Sequence, residues 1–210
     1  MIGSSRSALV AALLAVLAAT PAAANGKAQG LTPEAARAKV TLHDDPLEVE
    51  AVLSTHGVLR STRGILRASH NDGHLRAAID RRTGQTRFEV RQTVQYVGAY
   101  RNFSTVNFET ASWPASASLR KLDQNPAHCD AIDPQSACFE ELSFVVDEAE
   151  LRRLAAQGSS GEAWAFKLKP RQGDEHRASL PRAEIAGLLM AVDDYRARSA
   201  GASSTAADAP

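Results

Sequence analysis

The chain lacks the signatures by which most enzymes are recognised. It has no His-Glu-x-x-His pair, no phosphate-cradling glycine loop and no dinucleotide fingerprint. Gly158-Ser159-Ser160-Gly161 is not a nucleophile elbow, because it follows a helical pattern where the elbow would follow a strand; it reads as a linker. The paired carboxylates Glu140-Glu141 and Asp193-Asp194 are adjacent, so their side chains diverge and supply no acid–base couple. Cysteine is scarce. With Cys129 and Cys138 alone there is neither a tight Cys-x-x-Cys redox motif nor the repeated ligand pairs of a structural zinc site. Excess positive charge is missing too: 24 Lys and Arg face 24 Asp and Glu, which argues against nucleic acid as a partner.

What is present begins at the N-terminus. Met1–Ala24 has a polar, weakly cationic start at Ser4, Ser5 and Arg6, an apolar run from Ala8 to Ala19, and then Thr20-Pro21-Ala22-Ala23-Ala24. The run is shorter than the roughly 20 apolar residues needed to cross hydrocarbon, so residues 1–24 read as a secretory signal peptide cleaved between Ala24 and Asn25. No cysteine stands at the cleavage point to carry a lipid. The expected product is periplasmic or secreted, has no transmembrane segment, and carries about one net negative charge once Arg6 is lost. In an oxidising compartment Cys129 and Cys138 are expected to form a disulfide, which would add about 2–3 kcal/mol through loop closure. A metal site built on His128, Cys129 and Asp130 is the weaker alternative.

Residues 25–46 read as a flexible lead-in and a short helix, with Thr32 as N-cap and Pro33 in the first helical position. From Leu47 to Phe108 apolar residues recur with a period of two, most clearly where Phe88, Val90, Val94 and Tyr96 alternate with Arg87, Glu89, Arg91, Thr93 and Gln95. Turns are expected at Asn71-Asp72-Gly73, between strands at 64–69 and 75–80, and at Thr83-Gly84. Sequential strands predict a meander. The segment from Trp113-Pro114 to Cys138 reads as a long loop pinned by the disulfide. Phe139–Val146 is a strand that runs into a capping box at Val146, Asp147, Glu150 and Leu151 and a helix over 148–157. Trp164, Phe166 and Leu168 mark another strand, which turns at Arg171–Asp174 into 176–180. Pro181 opens a last helix with Ile185, Leu188, Leu189 and Val192 on one stripe and Asp193, Asp194 and Arg196 facing water. The expected fold is α+β: one β-rich domain over 47–198, an antiparallel sheet or incomplete sandwich with two or three short helices, including the C-terminal amphipathic one. Residues 199–210, rich in Ala and Ser, are expected to form a disordered tail.

Three groups of side chains are candidates for function. His70, Asp72 and His74 bracket the expected turn and are the tight histidine–carboxylate group; imidazoles and a carboxylate together suit zinc or copper. His43, His56, His128 and His176 are scattered and read as surface or satisfied core histidines. Tyr100 and Arg101, near Gly98, Phe103 and Trp113, have the composition of a binding hot spot, whereas Tyr96 falls in register with the core. Finally, the stretch 60–91 is basic and the stretch 123–150 acidic. A cationic face for an anionic partner is one reading; the other, preferred because the arginines are spaced along alternating strands, is that the two segments offset each other or stay solvated.

The stretch Leu75–Phe103, with Leu75-Arg76-Ala77-Ala78-Ile79-Asp80-Arg81-Arg82-Thr83-Gly84 and Tyr96…Tyr100-Arg101, resembles a family of small exported proteobacterial proteins of unknown function. So do Glu141–Leu154, Trp164–Lys169 and Leu180-Pro181…Ile185-Ala186-Gly187-Leu188-Leu189. The resemblance implies a bacterial-envelope address and carries over neither an activity nor site residues. The expectation is therefore a non-enzymatic exported domain that uses no cofactor and binds a protein or envelope component, with its oligomeric state open. Two alternatives are a metal-assisted hydrolase using His70, Asp72 and His74, and a small-molecule carrier, which would need a concave pocket of roughly 300–1,000 Å³.

Overall fold

The structure, a computed structural model, describes residues 30–58, 71–122, 137–158 and 163–207. The signal peptide expected over residues 1–24, Cys129, His70 and the strand expected at 64–69 lie outside them.

Among the described residues antiparallel pairing builds two sheets. The larger has the order β1 (Thr41–His43), β2 (Glu50–Ser54), β3 (Asn71–Asp80), β4 (Thr86–Val97), β8 (Ala137–Val146) and β7 (Arg120–Lys121); the smaller has β10 (His176–Pro181), β9 (Ala163–Pro170), β5 (Phe103–Glu109) and β6 (Pro114–Ser118). The first four strands follow one another as a meander. After β4 the chain crosses to the second sheet, and β8 returns to pair with β4, so the sequential order expected throughout is broken there. Among the described residues three helices join them: α1 (Pro33–Arg37), α2 (Glu148–Ala156) and α3 (Arg182–Ala207). The α+β class read from the sequence is the one observed.

Alternation explains the core. Cross-strand partners on the inner face of the large sheet form apolar rows, Leu53–Ala77–Phe88–Val146 and Leu75–Val90–Phe144. The small sheet covers the β8 part of that face: Phe144 meets Phe166 at 5.4 Å and stacks on Phe108 at 5.6 Å, while Phe108 meets Trp164 edge-on at 5.6 Å. Helix α3 covers the β2–β3 part, with Ile185, Leu188, Leu189 and Val192 buried in the same cluster. Leu151 and Leu154 of α2 join it. None of the helices among the described residues is long and apolar enough to cross a membrane.

Several local expectations change. Asn71-Asp72-Gly73 is not a turn but the start of β3, paired with Val94, Thr93 and Gln92. A Cβ at Gly73 would lie 2.6 Å from Oε1 at the end of the Gln92 side chain, which would have to shift to admit it. The segment after Trp113 is not wholly loop, because β6 and β7 pair within it. Asp147 is the N-cap of α2, yet its side chain makes no cap bond, and Glu150 pairs with Arg153 instead of closing a capping box. Pro181 ends β10, and α3 starts at Arg182. That helix runs to Ala207, so the boundary expected at Ser199 falls inside it; an Ala-rich sequence has the intrinsic propensity to continue a helix already anchored by packing.

Candidate functional site

Outward-pointing residues of the large sheet alternate with the core rows, and the same register assembles them across strands. Arg87, Glu89 and Arg91 share the outer face of β4. Arg76 lies opposite Glu89 on β3, and Arg120 on β7 lies opposite Ser143, which in turn faces Arg91. Glu89 is 3 % exposed, with four guanidiniums around it: Arg120 at 3.2 Å, Arg87 at 3.6 Å, and Arg76 and Arg91 at 3.7 Å. Glu50 adds a second carboxylate, 3.7 Å from Arg76 and 3.6 Å from Arg87.

The geometry of this cluster is loose. Only the Arg120–Glu89 contact is a hydrogen bond; the others are too long, so most guanidinium N–H groups are not committed to these carboxylates. Arg91 Nε is buried with no hydrogen-bond partner among the described residues. Burial lowers the pKa of Arg76 below its ordinary value, and neighbouring Arg91 pushes the same way against the pull of Glu89 and Glu50. Arg87 and Arg120 are about half exposed, and Val145 and Phe139 are exposed apolar side chains on the same face. Four cations held by two carboxylates leave a local positive field that a further anion would relieve.

The basic segment is thus gathered, in part, into a patch. Arg76, Arg87 and Arg91 converge on Glu89 and Glu50, whereas Arg81 binds Asp44 at the β3–β4 turn. None of these ion pairs is with the 123–150 segment. Arg60, Arg63 and Arg67 lie outside the described residues. Sequence reasoning passed over Arg120 and the convergence itself; the signal available was Arg87-Glu89-Arg91 at a spacing of two, which puts all three on one face of a strand.

Asp72 and His74 also stand two apart on β3 and share the outer face. His74 is joined by His56, one of the histidines scattered in the sequence, whose Nδ1 lies 3.4 Å from His74 Nδ1. Burial pushes the His74 pKa down to about 4, with His56 and Arg91 adding to the effect. No group of three metal-ligating side chains occurs among the described residues.

Tyr100 and Arg101 have intramolecular partners. Lys121 Nζ donates to the Tyr100 hydroxyl and sits 4.5 Å from the centre of its ring. Arg101 lies 4.7 Å over the Tyr96 ring and 3.8 Å from Asp174. Beneath them Glu140, 4 % exposed, accepts from the Tyr96 hydroxyl at 2.6 Å and from the Asn102 and Phe103 amides at 3.1 Å. This buried carboxylate fixes the crossing from β4 to β5, so Tyr100 and Arg101 sit on a structural knot. Cys138 is buried beside it, with Sγ 3.0 Å from the Gly98 carbonyl oxygen.

Comparison of the chain with protein-family models, curated proteins and solved structures finds no match.

Proposed function

We propose that the chain is an exported, non-enzymatic binding domain that takes an anionic component of the cell envelope, a phosphate-bearing lipid head group, on the outer face of its six-stranded sheet. The observation that supports this reading is the set of four guanidiniums, Arg76, Arg87, Arg91 and Arg120, loosely sharing Glu89 and Glu50. Guanidinium forks match phosphate oxygens in pairs, and the exposed Val145, opposite Glu89, offers apolar contact beside them. The leader-like N-terminus and the resemblance to exported envelope proteins supply the address.

At an anionic membrane each basic residue contributes about 1 kcal/mol, so replacing both Arg87 and Arg120 with Gln is expected to weaken binding by about 2 kcal/mol, roughly 30-fold. The assay is cosedimentation of the mature protein with vesicles of phosphatidylglycerol and phosphatidylcholine, against phosphatidylcholine alone. Binding that is equal on both vesicles, absent from both, or unchanged in the double variant would refute the reading.

Export has its own test. Material recovered from the periplasm should begin at Asn25 and have no titratable thiol, because Cys129 and Cys138 are joined. An intact Met1 on cytosolic protein with two free thiols would overturn it.

A further inference from the structure

The second sheet has an outer face of its own, and its most conspicuous residue is Trp113, 80 % exposed at the tip of the β5–β6 hairpin. The tip is rigidly built. Glu109 pairs with Pro114 to close the loop, the Thr110 hydroxyl donates to the Trp113 carbonyl at 2.6 Å, and Pro114 restricts the backbone of the residue before it. A singly exposed apolar residue needs no explanation. Trp113, however, walls a groove of about 490 Å³, within the size range of small-molecule sites.

The sheet register fixes the rest of the groove. Asn107 on β5, Lys167 on β9 and Arg177 on β10 are direct cross-strand partners and form a polar row, with strands about 4.8 Å apart. Glu109 and Ala165 line the groove beyond that row, and the small side chain of Ala165 leaves room there. Lys167 is paired with Glu175 at 2.9 Å. The exposed Arg177 guanidinium has no hydrogen bond or ion pair among the described residues.

We infer that this trough is a saccharide-binding site for an acidic sugar, a ring bearing a carboxylate of the hexuronate type. Each wall matches one part of such a ring. The indole of Trp113 offers a flat apolar surface to the C–H face. Asn107 and Glu109, two apart on one face of β5, offer an amide and a carboxylate to neighbouring hydroxyls. Arg177, the cation of the row not taken up by Glu175, is placed to take the carboxylate in a charge-assisted pair. Other ligand classes fit less well. A purely aliphatic ligand would leave the polar row unpaired. A peptide added as a strand needs a free sheet edge, whereas here the main-chain groups of β5 and β9 are already paired with each other. A nucleotide could also stack on the indole, so adenosine monophosphate is the competitor that decides between the two. The site is independent of the arginine cluster, which lies on the other sheet.

Fluorescence tests it directly, since Trp164 is buried and Trp113 dominates the response to an external ligand. Titration of the mature protein with a hexuronate oligosaccharide should give a saturable change in emission and protect Trp113 from iodide quenching. The neutral hexose oligosaccharide should bind at least tenfold more weakly, and adenosine monophosphate more weakly than the uronate. Trp113→Ala should abolish binding, read by calorimetry, at unchanged thermal stability; Arg177→Gln should weaken it about tenfold and erase the preference for the acid. The Arg87→Gln, Arg120→Gln protein should bind the sugar like the parent, whatever it does on vesicles. An absence of saturable binding, equal affinity for neutral sugar, preference for the nucleotide, or retention in Trp113→Ala would each overturn the assignment.

Discussion

Glu184 is where a single residue has most influence over the molecule's pH response. It is 1 % exposed in the first turn of α3, accepts a hydrogen bond from the Thr55 hydroxyl at 2.5 Å, and has a second carboxyl oxygen with no partner among the described residues. Burial pushes its pKa up to about 7; the charge of Asp72 works in the same direction and the Thr55 bond against it. Because the folded value lies above the ordinary 4.5, its contribution to stability is complete below that pH and is lost as pH rises through about 7. Glu184→Gln removes this dependence. Urea midpoints should show the variant more stable than the parent at pH 8, by on the order of 3 kcal/mol, with the difference shrinking toward pH 5. Parallel pH profiles for the two proteins would contradict the account. Glu140 shows what the sequence could and could not say at this scale: adjacency to Glu141 implied that the two diverge, and they do, but which one turns inward depended on the register of β8 against β4.

Among the elements, the contact between α1 and α3 depends on a single glycine. A Cβ on Gly187 would lie 2.6 Å from Ala36 Cβ, 2.7 Å from the Arg37 nitrogen and 2.8 Å from the Pro33 carbonyl oxygen, two of them backbone atoms that cannot swing away. Gly→Ala in a helix ordinarily stabilises by about 1 kcal/mol. Here the sign should reverse: Gly187→Ala is expected to lower stability by about 1–3 kcal/mol through overpacking, and to expose the helix carrying Ala36 to faster amide exchange. A stabilised variant would show that α1 is not seated on α3 as described. The short N-terminal helix was legible from Thr32 and Pro33, and the Thr32 hydroxyl does accept from the Ala35 amide; its docking place was not, because the groove that receives it lies about 150 residues away in the chain. The same division accounts for β3. Asn71-Asp72-Gly73 carries local turn chemistry, yet pairing with Val94, Thr93 and Gln92 on β4 outweighs it.

At the scale of the whole molecule, two sheets and a helical layer share one core and leave each sheet a face for contact. Charge that is unremarkable in the composition becomes uneven here. Along the chain the arginines of β3 and β4 alternate and look dispersed, but antiparallel pairing stacks alternating residues side by side, and Arg120 arrives from a strand outside the basic stretch. This patch gives salt dependence as an observable: vesicle binding of the mature protein should fall steeply as ionic strength rises, since exposed charges are screened beyond about 10 Å at 0.1 M, whereas the sugar site should respond far less, because Trp113 supplies much of its contact.

Taken alone, the sequence determined the α+β class, most of the strands and the inward-facing set of apolar residues, because periods of two and 3.6 are written directly into the order of side chains. It also carries the expectations of a leader over residues 1–24 and of a Cys129–Cys138 pair. Only the tertiary structure decided where the chain leaves one sheet for the other, which carboxylates are buried, and which cations meet, since these follow from strand register and from contacts between residues far apart in sequence, for which no local pattern exists.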